Sequence, residues 1–169
     1  MILLQIIWFF LPAYVANMAA SIFKINILAK PISNKLFGSH KTWSGFVIGS
    51  FLAMVVAFFQ SFLLSFNFFK EISLLNYSKD FLLIGFLLGF GALFGDTIKS
   101  FFKRRLAIAP GKKWVPFDQI DYTLGALLLS LFVWQPTIIF IISAIIINFF
   151  LHILFNHLGF WLGIRQNKW

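Results

Sequence analysis

The chain has 169 residues, of which 60% are hydrophobic and 25 are Phe, and a formal net charge of +9. Its mean hydropathy of +0.91 excludes an ordinary soluble domain and reads as a single integral membrane domain spanning 1–169. The absence of cysteine excludes disulfides, thiolate metal sites and cysteine nucleophiles, and basic charge on so apolar a chain points to membrane orientation and anionic headgroups, with no nucleic acid as partner.

Five apolar segments follow in order, so the expected fold is an all-α integral membrane bundle of about five transmembrane helices. The first, about Ile2–Phe23, lacks a positive n-region and is long enough to span, so it reads as a helix rather than a cleaved leader. Ala13, Ala16, Asn17 and Ala20 lie three or four apart on one face, where small side chains let helices approach. Asn17 is also placed to reach a polar cavity. The loop 24–44 holds Lys24, Lys30, Lys35 and Lys41 with no acid. Its end, Leu36 to Gly45, brings Lys41 and Thr42 to the start of the second segment, Gly45–Phe66. A helix N-terminus suits a phosphate, although juxtamembrane Lys and Trp are also plain interface anchors. The glycine spacing of a Walker loop is absent.

Residues 67–80 read as a loop in which Lys70 and Lys79 are offset by Glu71 and Asp80. The third segment runs from about Phe81 into Phe102 and carries Gly85, Gly89, Gly91 and Gly95, read as close helix packing. It leaves the membrane as Gly95-Asp96-Thr97-Ile98-Lys99-Ser100, followed by Lys103, Arg104 and Arg105. Asp96, Lys99, Ser100 and Lys103 share one helical face. Ala109-Pro110-Gly111-Lys112-Lys113 reads as a loop. Pro116 suits the first turn of the fourth segment, about Ile120–Trp134, which is short for a span of ~20 residues. Asp118 and Asp121 fall three apart on that first turn. Gln135-Pro136 predicts a tight turn into the fifth segment, Pro136–Gly163. His152 and His157, five apart, miss the four-residue spacing of a helical metal pair and read as polar packing groups; His40 reads as interfacial.

Twelve of the fourteen basic residues lie on one side if the N-terminus is outside and the C-terminus, with Arg165 and Lys168, is cytoplasmic. That orientation puts the acid cluster at the cytoplasmic face of the cell membrane. Of only five acids in the chain, three are Asp96, Asp118 and Asp121, on neighbouring helices joined by a short basic loop. A few hard oxygen ligands suit Mg2+, which completes its octahedron with waters and substrate phosphates. Lys as a point charge and Arg as a fork suit a polyphosphate. The same residues would also suit an interhelical ion-pair network.

Gly95-Asp96-Thr97-Ile98-Lys99-Ser100 with Lys103-Arg104-Arg105, then Pro110-Gly111, then Asp118-Gln119-Ile120-Asp121, resembles the CDP-archaeol synthase family. It is more distantly similar to the signature of phosphatidate cytidylyltransferases. Pro12-Ala13-Tyr14…Asn17 and Gly38…Lys41-Thr42-Trp43…Gly45 extend the likeness over nearly the whole chain. One departure is Ser44, where the family commonly shows Arg; one cation fewer bears on that loop's lipid or nucleotide contacts. The resemblance implies transfer of a cytidylyl group from CTP to a membrane lipid phosphate, giving a CDP-lipid and pyrophosphate in phospholipid biosynthesis with Mg2+. The lipid would be an unsaturated archaeal ether-lipid phosphate or phosphatidate. It assigns Asp96, Asp118 and Asp121 to the metal and, with Lys99, to catalysis; Lys41, Thr42, Ser100, Lys103, Arg104 and Asn17 would bind substrates. The implied partners are CTP, the lipid phosphate and the bilayer, with a homodimer left open. Competing classes are a small transporter or cation channel, whose acids would be expected near mid-membrane, a structural membrane subunit, and a CDP-alcohol phosphotransferase, whose Asp-Gly-x-x-Ala-Arg run is missing.

Overall fold

The computed structural model describes residues 1–23, 28, 30–109, 112–161 and 163. The expectations placed on Lys24, Pro110-Gly111, Arg165 and Lys168 lie outside these residues. Among the described residues there are six helices: α1 (Ile2–Ile22), α2 (Trp43–Leu63), α3 (Asn67–Ile72), α4 (Tyr77–Arg105), α5 (Phe117–Ser130) and α6 (Ile138–Trp161). Four of them, α1, α2, α4 and α6, are long and apolar enough to cross a membrane. The chain is therefore a multi-pass helical membrane protein.

Two boundaries differ from the sequence reading. The loop 67–80 contains the short α3, whose Ile72 packs into the core beside Leu75 and Tyr77. The fourth segment, α5, has 14 residues, a rise of roughly 21 Å against a hydrocarbon core of about 30 Å. As a helix it is shorter than that core. Pro116 stands at its N-cap rather than inside the first turn. At its far end the turn lies at 131–133 rather than at the expected Gln135-Pro136, which falls in a stretch without regular structure before α6.

α4, the longest helix, is the axis of the bundle and packs on α2, α5 and α1. Its glycines explain how. A Cβ at Gly89 would stand 2.3 Å from the Ala53 Cβ, and one at Gly85 would meet Met54 Cα at 2.7 Å, so this face is closed against α2. Gly91 and Gly95 face α5, where added Cβ atoms would meet the Gly125 carbonyl oxygen at 2.6 Å and the Asp121 carbonyl oxygen at 2.2 Å. Without hydrophobic drive between helices in lipid, such backbone-to-backbone contact supplies the packing. Ala16 and Ala20 of α1 meet Gly49 and Gly45 of α2 in the same way, as the small-residue face predicted.

Larger side chains fill the opposite end of the bundle: Ile6, Phe9, Phe10, Tyr77, Leu88 and Phe140. There Pro12 lies inside α1 and cannot donate to the carbonyl of Trp8 four residues earlier. Gln60 of α2 donates its Nε2–H to that carbonyl at 2.7 Å. A backbone acceptor that lipid could not satisfy is thereby paired.

Candidate functional site

At the other end of the bundle the charged residues meet. Thr42 caps α2, its hydroxyl accepting from the Gly45 N–H at 3.2 Å, a device worth about 1 kcal/mol. Before it the chain doubles back, with Ile32 N–H donating to the Lys41 carbonyl at 2.8 Å and Trp43 N–H to the Lys30 carbonyl at 3.3 Å. This return loop carries Lys41 onto Asp96 of α4, with which it forms an ion pair. Ser44, fully buried, bonds the Thr42 hydroxyl at 3.0 Å; the residue that departs from the family pattern braces this cap.

The three acids converge, and what they converge on is Lys99. Its ammonium lies 3.0 Å from Asp96 Oδ1, 3.1 Å from Asp118 Oδ1 and 2.7 Å from Asp121 Oδ2. Asp118 is held again by Lys103 at 2.9 Å and by the Trp114 N–H at 2.6 Å. The cluster thus sets three carboxylates against the ammoniums of Lys41, Lys99 and Lys103. Buried charges are tolerable only when paired this closely. Burial opposes charge on Asp118, yet Lys99, Lys103 and the Trp114 amide hold its carboxyl below the usual range. The interhelical ion-pair network is therefore real, and it is built from the residues expected to hold a metal.

Three carboxylates without thiolate or imidazole fit a hard divalent cation in donor chemistry. Among the described residues no three of His, Cys, Asp and Glu are grouped to hold a metal by themselves. Lys99 supplies the positive charge that the carboxylates share.

Two cavities open on this cluster from opposite sides. One, of about 300 Å³, lies between α1, α2 and α4, and is lined by Asn17, Ser39, Lys41, Thr42, Asp96 and Thr97 among others. The second, about 420 Å³, is a groove between α4 and α5. Phe94, Ile98, Phe102, Phe117, Leu124 and Leu128 make it almost wholly apolar, with Lys99 and Asp121 at its polar end. Asp96 faces the first cavity and Lys99 the second, and their ion pair is the wall between them.

Other predicted residues sit differently. Lys103 is buried and engaged with Asp118 and the Lys112 carbonyl, so it latches the α4–α5 loop. The Ser100 hydroxyl donates to the Asp96 carbonyl of its own helix at 2.8 Å and lines neither cavity. Arg104 is half-buried, and its Nε has no hydrogen-bond partner. His152 stacks on Tyr122, and His157 bonds the Ile153 carbonyl, as packing groups should. Sequence reasoning placed Ser39 and Thr97 of the polar cavity inside its two candidate segments but gave neither a role. It missed the groove: Phe94, Ile98 and Phe102 recur every four residues, a pattern identical to any lipid-facing helix stripe.

A helical membrane protein with a charge-neutral acid–lysine cluster, open to a polar cavity on one side and a hydrocarbon groove on the other, is the class these features define. The sequence model described as CarS-like CDP-archaeol synthase matches residues 1–169, and the chain belongs to the CDP-archaeol synthase family. The chain is 33% identical over 168 residues to the CDP-archaeol synthase of Methanocaldococcus jannaschii, covering 96% of this chain and 95% of that one. It is 32% identical to the Methanopyrus kandleri CDP-archaeol synthase, with 96% and 91% covered. A solved structure described as an intramembrane enzyme for archaeal membrane lipids biosynthesis superposes with a TM-score of 0.67 at 26% identity, covering 89% of this chain and 91% of that one.

Proposed function

We propose that the chain is a cytidylyltransferase that joins CTP to a membrane lipid phosphate, with an archaeal ether-lipid phosphate as its substrate. The observation that carries this reading is the shared wall: a polar cavity and an apolar groove meet at the Asp96–Lys99 pair. A reaction between a water-soluble nucleotide and a lipid needs two such entrances meeting at one charged point. The substrate preference rests on the relatives' names, CDP-archaeol synthase.

An oxygen of the lipid phosphate attacks the α-phosphorus of CTP. The new P–O bond forms as the bond to the β-phosphate oxygen breaks, and pyrophosphate leaves. The attacking monoester is already anionic, so no general base is required. The barrier is the approach of two anions, and fixed cations lower it. Lys41 and the capped start of α2 receive the triphosphate in the polar cavity, beside Asn17 and Thr42. Lys99 faces the lipid phosphate at the polar end of the groove, while the groove's Phe and Leu side chains hold the tails. Asp96, Asp118 and Asp121 would hold Mg2+ together with nucleotide phosphates. Bound there, the ion would neutralise charge developing on the phosphates. We assign the basic end of the bundle to the cytoplasm, where CTP is available; the charge bias supports this orientation.

The test uses purified protein with CTP, Mg2+ and parallel ether- and ester-linked lipid phosphates. Pyrophosphate release with the ether lipid, its loss on EDTA treatment and its loss in Asp121→Asn are expected. No turnover with either lipid class would sink the assignment, and equal turnover with both would remove the ether-lipid preference.

A further inference from the structure

Behind the charged cluster lies a second polar assembly that the transfer reaction does not use. α6 is mostly apolar, and its buried positions are Phe140, Ala144, Asn148 and Asn156, a single stripe. Asn148 is 0% exposed and sits near the middle of a helix long enough to cross the membrane. A buried amide there is costly unless paired, and only its oxygen is: the Nδ2 has no hydrogen-bond partner. Its Oδ1 accepts from the Tyr14 hydroxyl of α1. The Tyr122 hydroxyl of α5 points at the same amide, 3.4 Å from Oδ1 and 3.3 Å from the Asn148 carbonyl. The Tyr14 and Tyr122 rings meet edge-on at 6.1 Å, and the His152 ring stacks on Tyr122 at 5.8 Å. One side chain of α6 thus ties together two helices that otherwise touch little.

The connection to the cluster is direct. Tyr122 follows Asp121, and its backbone N–H donates to Asp121 Oδ1 at 2.6 Å. The other oxygen of Asp121 reaches Lys99. Tyr14 lies one turn from Asn17, which lines the polar cavity. The hydroxyl of Tyr122 therefore anchors a ring whose backbone orients an acid of the site.

We propose that Asn148, with Tyr14 and Tyr122, is a positioning clamp that fixes the rotation of α5 about its axis and so aims Asp121 at Lys99. It touches no substrate; α6 contributes to transfer by this contact. The inference rests on the proposed cytidylyltransferase activity for its kinetic consequence, but its structural consequence can be read without turnover.

The test compares wild type with Asn148→Leu, Tyr122→Phe and the double variant. Leu keeps the branched heavy-atom skeleton of Asn without its polar atoms, and Phe lacks only the hydroxyl. Supporting partners of this kind are worth about 10- to 100-fold in activity. Each single variant is expected to lose about tenfold in kcat with a smaller change in the KM for CTP, since neither side chain lines the polar cavity. The double variant is expected to lose no more than Asn148→Leu alone, the mark of one shared interaction. Amide hydrogen exchange over 117–123 is expected to accelerate in every variant while exchange in α2 stays as in wild type. Unchanged exchange over 117–123 overturns the clamp, and so do additive losses in the double variant. If Asn148→Leu fails to fold, Tyr122→Phe alone carries both readouts. Wild-type protein that is inactive counts against the proposed function, and the exchange measurement still decides the clamp.

Discussion

Gly95→Ala isolates what the α4–α5 contact does for the site. The added Cβ would stand 2.2 Å from the Asp121 carbonyl oxygen and 3.0 Å from Gly125 Cα. Ordinary contact begins about 3.5 Å out, so the two helices must separate by roughly 1 Å. The obstructing atoms are backbone and cannot rotate away, so α5 has to shift as a unit. That shift carries Asp121 and Asp118 away from Lys99, which now holds them at 2.7 and 3.1 Å. Overpacking of this kind costs about 1–3 kcal/mol in stability. A misplacement of about 1 Å at a reacting centre costs about 100-fold in rate. Gly85→Ala is the matched comparison. Its Cβ would meet α2 backbone at 2.7 and 2.8 Å, at a place remote from the acids. Both variants are expected to melt lower than wild type in detergent with helix content preserved by circular dichroism. Pyrophosphate release at saturating CTP is expected to fall about 100-fold in Gly95→Ala and much less in Gly85→Ala. A Gly95→Ala enzyme within threefold of wild type, or a Gly85→Ala enzyme equally impaired, would refute the argument that this contact aims the acids.

Lys41→Met removes one charge-assisted contact from the polar cavity; a rise of about tenfold in KM for CTP with the lipid KM unchanged is expected from initial-rate measurements. Leu124→Trp fills the apolar groove; kcat/KM for the lipid phosphate should fall about tenfold while CTP binding measured by calorimetry stays as in wild type. Lys103→Met leaves Asp118 and the Lys112 carbonyl without their shared donor. Limited proteolysis should then cut the α4–α5 loop faster, and the melting temperature should drop; an unaltered cleavage rate would show that the latch does not hold the loop.

The helices and the charged cluster were legible for different reasons. Hydrophobic runs long enough to span give α1, α2, α4 and α6 nearly their observed bounds, because a membrane leaves the backbone no alternative to the helix. α5 was harder: its 14 residues begin after Pro116 and pack on Gly91 and Gly95, neither of which hydropathy reports. The return loop's Lys41 was visible as a basic residue at a helix start. Its pairing with Asp96, 55 residues away, was not.

By itself the sequence determined that this is a helical membrane protein and that Asp96, Lys99 and Lys103 share a face of one helix and Asp118 and Asp121 a face of the next. Periodicity fixes neighbours three and four residues apart, and hydropathy fixes what the bilayer will accept. Only the tertiary structure decided that Lys99 stands at the meeting point of the three acids and that Lys103 latches a loop. The division between a polar cavity and an apolar groove, and the pairing of Tyr14 with Asn148 across 134 residues, belong to it as well. Those outcomes depend on how closely the glycine and alanine faces let the helices approach. That is a property of two surfaces together, which no single helix encodes.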